Sequence, residues 1–456
     1  MVNTKGQQVA GKQTHPGAIK IQSIEIFNYR VGNLSREQAI KQGLIKDITR
    51  IVVKVLIVES LQSPTLVLKL GIKDATAFAE TFPIVGQEII RITTLEDNIH
   101  TNEEVEKELL FYVTEYPKYG KGGSETTAGY TIQAISKHAY LSGFKKISRP
   151  FSDTATAEMF KILVDDLEFD DITMTNFQSQ DISKSKGVIN LQTPLSACEF
   201  FRQNAYTSDG SPFFFFQTLN GRMNCIALKD LVNQPAKRTF FELRGYTTSP
   251  ETPSEFTEQR NRILSIFSNL GLSSYKSGRS GVFASETNSL DWSNKSYTTH
   301  VYKTEINPNT DNVEKKAILS ESFKVFDTSL NKLPEASCNY VSKNDTSFTE
   351  DINYGSAKSK QLHKIKAYQE LLNTYTHQIT VVGDTNINAG RIVEINLPSA
   401  IDPKFRQGRG MSDEVNFDPM LSGRYLVSQV IHEIQDGKYI SRVNLVRDSL
   451  TLALDG

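Results

Sequence analysis

A chain of 456 residues can bury several cores, and its formal net charge of −1 lacks the basic excess that a free-standing duplex DNA reader usually carries. Cys198, Cys225 and Cys338 have no CxxC spacing and fit neither a disulfide framework nor a common zinc module; the first two read as small core residues. No run approaches the ~20 apolar residues of a membrane span, and the polar start MVNTKGQQVAGKQTHPG has no secretory signal pattern, so a soluble, cytosolically made protein is expected.

Residues 1–17 read as a flexible arm, or one that orders on a partner. AIKIQSIEIFNY (18–29) predicts a strand in which Ile19, Ile21, Ile24 and Ile26 change register near Gln22-Ser23. ITRIVVKVLIVES (48–60) is long and β-branched, as strands prefer. TLVLKLGI (65–72) alternates Leu66, Leu68, Leu70 and Ile72 against Val67 and Lys69, the period-two mark of a half-buried strand. DATAFAET (74–81) predicts a short helix capped by Asp74. A glycine turn opens PIVGQEIIRI (83–92), and strand patterns follow in ELLFYVTEY (108–116) and GYTIQAISKHAYL (129–141).

The texture changes after residue 142. Ser152-Asp153-Thr154 offers N-cap chemistry, and Phe160, Leu163, Val164 and Leu167 follow on one helical face. Thr193-Pro194 starts a second helix, with Leu195, Cys198 and Phe201 along its stripe and Asp209-Gly210 as its stop. PFFFFQTLNGRMNCIAL (212–228) predicts a hairpin, since Asn220-Gly221 suits a two-residue turn. KRTFFELRGY (237–246) returns to strand, TTSPETPSEFT (247–257) is turn-rich, and RNRILSIFSNLG (260–271) reads as a helix stopped by Gly271. Residues 281–355 are rich in Ser, Thr, Asn and Asp, with weak strand patterning. SAKSKQLHKIKAYQELLNTY (356–375) predicts an amphipathic helix with Leu362, Ile365, Leu372 and Tyr375 at helical spacing.

The closing run repeats the early β pattern. THQITVVG (376–383) precedes a second glycine turn in INAGRIVEINL (387–397), and RYLVSQVIHEI (424–434) and KYISRVNLVRD (438–448) follow, joined by a tight Asp436-Gly437 turn. Two matching patterns in one polypeptide predict pseudo-symmetric copies of one surface. The second unit is then split, with 238–280 and 376–448 belonging together around an insertion at 281–375.

Sites for chemistry are sparse in this pattern. LVDDLEFDD (163–171) clusters carboxylates at a helix end, which suits a solvated face better than two carboxylates facing each other across a substrate. YGKGGSETTAGY (119–130) has glycines, Lys121 and Thr126-Thr127, but not the order of a phosphate loop, and it lies between two predicted strands. His432-Glu433 sits in a strand with its side chains on opposite faces, unlike HExxH. His138, His363 and His377 read as surface or interface residues. Phe213–Phe216 reads as core on both faces of a sheet, and Trp292 as an anchor for the inserted region or an interface. No catalytic, cofactor-binding or metal residue is expected, and the pattern names no interface residue.

Three stretches nevertheless resemble a known family: TLVLKLGIKDATAFAETFPIVGQEIIRIT (65–93), LSGFKKISRPF (141–151), read as a linker before a helix, and GRYLVSQVIHEIQDGKYISRVNLV (423–446). Their order and spacing resemble the central baseplate hub proteins of contractile-tailed bacteriophages, and the hub part of type VI secretion spike proteins. The resemblance implies a mainly β fold with α/β parts: two tail-tube-like antiparallel β-barrels plus two smaller domains. The implied division is an arm (1–17), a first barrel (18–142), an α/β domain (143–237), a split second barrel (238–280 and 376–448), an inserted domain (281–375) and a tail (449–456). It also implies a non-enzymatic homotrimer in the virion baseplate. Six similar barrels would meet a hexameric tail-tube or tube-initiator ring on one side and a trimeric central spike on the other. A tape-measure protein and transiently passing DNA complete the implied partners. Two alternatives stay open: a peripheral carbohydrate-binding or adhesin-like β protein, from the polar 281–355 region, and a cell-wall glycan hydrolase using Asp165, Asp166 and Glu168.

Overall fold

The computed structural model describes residues 20–32, 34–98, 103–115, 118–121, 128–167, 169, 175–177, 179–242, 260–270, 274–292, 295–304, 313–314, 322–333, 338–343, 354–399, 417–418 and 420–451. The fold is mainly antiparallel β. A first unit contains β1 (Lys20–Phe27), β2 (Ile45–Asp47), β3 (Val52–Ser60), β4 (Ser63–Asp74), β5 (Ile89–Asn98), β6 (Glu103–Val113), β7 (Lys118–Lys121) and β8 (Ala128–Ser136). Their order is β3-β4-β8-β6-β5-β1-β2, with β7 beside β8. The register change foreseen in β1 is a bulge between Ile21 and Ser23. Leu66, Leu68, Leu70 and Ile72 point into one core, so the period-two pattern of β4 is realised as burial. Two local readings need correction. The strand at 129–141 stops at Ser136, and Lys137–Gly143 is helical. The short helix is Phe78–Thr81 behind a left-handed Ala77, although Asp74 Oδ2 still accepts from the Ala79 N–H at 3.2 Å.

The next segment is a separate α/β layer. β9 (Ile147–Phe151) pairs with β11 (Gly187–Gln192), while β10 (Thr175–Asn176), β12 (Phe213–Gln217) and β13 (Met223–Ala227) form a three-stranded sheet. The stretch taken as a linker up to Phe151 thus ends in a strand. The helix Ala155–Leu167 buries Met159, Ile162, Leu163 and Leu167, a face rotated from the one predicted; Phe160 packs edge-on to Phe177 instead. The helix Pro194–Asn204 begins as foreseen, with Thr193 Oγ1 accepting from the Ser196 N–H, but ends at Asn204 and not at Asp209-Gly210. The 212–228 hairpin forms with a longer turn: the Thr218 N–H donates to the Arg222 carbonyl at 3.0 Å, and Gly221 takes φ +81. Phe213 and Phe215 enter the α/β core while Phe214 and Phe216 enter another, so alternate rings of β12 fasten two cores together.

The second unit starts with β14 (Thr239–Phe241) and β15 (Ile263–Leu270). The helix expected at 260–271 is therefore corrected to a strand. Ile263, Ile266 and Phe267 suit either period, and pairing with a neighbouring strand decides between them. The insertion holds β16 (Ala284–Asp291), β17 (Ser296–Lys303), β18 (Lys324–Val325), β19 (Thr328–Ser329) and β20 (Cys338–Lys343). Its weak patterning hid a three-stranded sheet, β17-β16-β20. The helix Tyr354–Leu372 buries His363, Ala367, Leu371 and Leu372, leaves Ile365 half-buried, and ends before Tyr375, which starts a strand; Leu362 lies outside the described side chains. The chain closes with β21 (Tyr375–Val382), β22 (Ile392–Asn396), β23 (Gly423–Gln435) and β24 (Lys438–Arg447). Asp436 and Gly437 take φ +51 and +73, the left-handed pair that a two-residue hairpin turn demands.

The strands of the second unit run in the order β15-β21-β24-β23-β22-β14, matching β3-β4-β8-β6-β5-β1 position for position. The bulges coincide as well: β3 slips against β4 between Val52 and Lys54, and β15 against β21 between Ile263 and Ser265. One pairing differs, since β14 runs parallel to β22 while β1 runs antiparallel to β5. The units meet where β23 adds itself to β3, Ile431 lying opposite Val58, which continues the strands of both into one sheet.

Candidate functional site at the joint between the two units

Glu59 stands at the end of β3, fully buried. An isolated carboxylate there would be strongly destabilising, so it has partners. Its Oε1 accepts from the Ala389 N–H at 2.8 Å and its Oε2 from the Leu219 N–H at 2.7 Å. One side chain of the first unit thereby holds the glycine turn of the second unit and the hairpin turn of the α/β layer. His432 Nε2 lies 3.9 Å from the same carboxylate, while its Nδ1 is 2.7 Å from the Tyr439 hydroxyl. The adjacent Glu433 points to the other face, where it pairs with Lys54 across the joint and with Arg442 at 2.6 Å. Beneath these groups Leu61, Phe214, Phe216, Leu231, Ile392 and Leu426 pool side chains from three regions into one apolar core.

Two further polar clusters brace the second unit. Asp384 follows β21 and is buried. Burial pushes its carboxyl upward, but Arg238 and Arg260 beside it and the Asn386 N–H outweigh that and hold it below the usual range. Next to it, Lys107 from β6 donates to Thr385 Oγ1 at 2.7 Å, a second bridge between the units. Inside the unit, Arg447 is fully buried against the rings of Tyr425 and Tyr375 and donates to the Ser422 and Met420 carbonyls. The Tyr425 hydroxyl donates to the Leu421 carbonyl, leaving its oxygen to His377 Nε2 at 2.7 Å. Burial, with Arg447 nearby, lowers the His377 pKa to about 4.

These groups are held chiefly by one another and brace the joint, although His432 Nε2, His377 Nδ1 and Arg447 Nε are buried without a hydrogen-bond partner. Beside the joint lies a polar cleft of about 450 Å³, lined by Asn176, Asn224, Asn388, Arg222, Arg391 and Asp230 among others. The residues marked in the sequence do not converge on it as a set. Asp166 is bound by Lys145 at 3.0 Å and Arg149 at 3.2 Å, while Asp165 is exposed and reaches Arg149 at 3.4 Å. They form an ion network with the α/β layer, not a pair facing across a cleft. Glu168 and residues 122–127 lie outside the described residues. Lys121 ends β7 (Lys118–Lys121), so the segment read as lying between two strands begins within a strand of its own.

His377 and His363 are buried, which corrects their reading as surface or interface residues; His138 is half-buried against Phe169. Cys198 and Cys225 are buried in the α/β core, and burial raises both thiols, so neither is a poised nucleophile. Trp292 is exposed beyond the end of β16. Among the described residues no three His, Cys, Asp or Glu side chains gather as metal ligands, and no helix is long and apolar enough to cross a membrane. Sequence reasoning missed Glu59, Asp384 and Arg447. The available signal was a lone charge closing an otherwise apolar strand, as in LIVES and NLVRD.

No protein-family model matches the chain, and no curated protein matches it in sequence. Solved structures do. A 43 kDa tail protein of prophage MuSo2 from Shewanella oneidensis superposes with a TM-score of 0.50 at 11% identity, covering 93% of this chain and 98% of that one. A tail protein from Neisseria meningitidis MC58 gives 0.49 at 11% identity, covering 94% and 99%. An Escherichia coli component of the type VI secretion system, itself similar to T4 bacteriophage tail proteins, gives 0.41 at 9% identity over 89% and 76%. At such identities the likeness concerns fold: this chain shares the fold of the MuSo2 prophage tail protein over nearly its whole length.

Proposed function

We propose that the protein is a non-enzymatic structural component of a phage tail, acting as the central hub of the baseplate. The observation that carries this reading is the doubled strand order, β3-β4-β8-β6-β5-β1 and β15-β21-β24-β23-β22-β14, within a chain that has a tail-protein fold. In this reading each unit is a tube-like barrel, residues 18–142 forming the first and 238–280 with 376–448 the second. The α/β domain (143–237) and the inserted domain (281–375) decorate them. Three chains form a ring of six similar units around a channel that lets DNA pass. That arrangement resolves a symmetry mismatch, since a closed interface needs matching copy numbers on both sides. The six-fold face meets the tail tube or its initiator ring, and the three-fold face holds the central spike. A tape-measure protein reaches the channel from the tube side.

Native mass measurement of the protein with its spike partner tests the stoichiometry, and cryo-electron microscopy of tails tests the position. A trimer on the tail axis is the expected result; a monomer in the assembled particle, or an off-axis position, refutes the hub reading.

A further inference from the structure

The joint within the chain predicts the joint between chains. In the first unit the outer edge of β3 is covered by β23. Its counterpart in the second unit, β15, pairs among the described residues only with β21 and ends the sheet, with Leu264 and Phe267 exposed. The strand segment that does the covering also has a counterpart. Lys118 faces Thr131 on β8 as Ile431 faces Arg442 on β24, so β7 stands where the far half of β23 stands. Among the described residues β7 pairs only with β8. Among the described residues, each chain therefore satisfies one copy of the joint internally and leaves one donor edge and one acceptor edge over.

We propose that β7 of one copy adds to β15 of a neighbouring copy as the next antiparallel strand, in the register that joins β23 to β3. The register follows from the duplication. Val58 lies opposite Ile431 across the internal joint, and Asn269 holds on β15 the place that Val58 holds on β3, fixed by the matching bulges. Lys118 then faces Asn269, and Lys121 faces Ile266. The occupant is a second copy of this chain, because the internal joint already displays that strand pair in the same sheet direction. An open edge carries unpaired backbone donors and acceptors, and adding a strand satisfies them. The contact is head-to-tail, so repeating it closes a ring or extends a filament. This inference rests on the ring reading above for its closure, but not for its strand pairing.

Two double-cysteine variants of the full chain test it, Lys118→Cys with Asn269→Cys and Tyr119→Cys with Ser268→Cys. Adjacent antiparallel pairs alternate in spacing, so one of the two suits a disulfide. Under mild oxidation the expected result is covalent multimers at about tenfold the yield of the single-cysteine variants, ending at a closed trimer. A shifted pair, Lys118→Cys with Ser265→Cys, should stay at the single-cysteine level. Circular dichroism and unfolding midpoints establish that each variant is folded. Cross-linked open chains without a closed trimer would support the strand pairing and overturn the trimeric ring. A native trimer in which neither matched pair cross-links would overturn the strand pairing and leave the ring standing. A monomer at all concentrations, without cross-links, would overturn both.

Discussion

The two strand units share order and bulges but are braced differently. In the first, the glycine turn before β5 is held by its own unit: Glu88, fully buried, accepts from the Val85, Gly86 and Gln87 N–H groups. In the second, the residue before the turn glycine, Ala389, donates to Glu59 from the other unit. Their cores differ in the same sense. Pairing register puts His377, Tyr425 and Arg447 where the first unit has Leu68, Phe111 and Ser136. At these positions the first unit has two apolar side chains and a serine, whereas the second has a histidine, a tyrosine and a buried cation, and it borrows a carboxylate across the joint. Duplicated topology thus coexists with unequal bracing: the turn of the second unit leans on Glu59 of the first, while Ile434 and Tyr439 of the second pack into the core of the first.

Breaking the borrowed carboxylate should have the largest effect. Glu59→Ala leaves two buried N–H groups without an acceptor and is expected to cost about 3–5 kcal/mol by denaturant unfolding. Glu59→Gln, which retains one acceptor oxygen, should cost clearly less. If alanine at Glu59 changes stability by under about 1 kcal/mol, the joint is not held in this way.

Acid should distinguish the two units next. His377 is neutral in the fold with a pKa of about 4, below its ordinary value near 6.5. The unfolded chain then binds more protons between those values, so stability falls as pH drops from about 6.5 towards 4, by roughly 3 kcal/mol in total. His377→Leu copies the residue of the first unit and should flatten that limb of the pH–stability curve. An unchanged limb would assign it to another group.

The turn glycines sharpen the comparison further. Both are left-handed, Gly86 at φ +85 and Gly390 at φ +79. An alanine at 390 would place its Cβ 2.5 Å from the Phe216 ring, whereas at 86 the nearest atom is the Thr114 carbonyl oxygen at 3.9 Å. Gly390→Ala is expected to cost about 3 kcal/mol, from strain plus overpacking, and Gly86→Ala about 1, from strain alone. Equal melting shifts would contradict that difference.

Smaller still is Glu433→Gln. Lys54 and Arg442 are partly exposed and can rehydrate, so the loss should be about 1 kcal/mol and shrink with added salt.

Much of this molecule was legible from residue pattern alone. Alternation in β4, the Asp436-Gly437 turn, the Thr193-Pro194 helix start and the doubled β pattern all depend on local chemistry: side-chain period, positive φ, or a missing N–H. The alternating rings of Phe213–Phe216 were legible for the same reason. Other features were not local. Ile263–Leu270 fits either helix or strand until β21 lies beside it, and the sheet of the insertion carries too few apolar residues to announce itself. His377 reads as a surface or interface group because its cover, Tyr425 and Arg447, arrives from strands far along the chain. Glu59 gave no sign that it serves turns at Leu219 and Ala389. Sequence determined which segments extend, turn and repeat, because those choices are made within a few residues. Tertiary structure decided which charges are buried and which edges stay open, because both depend on neighbours that only the folded chain supplies.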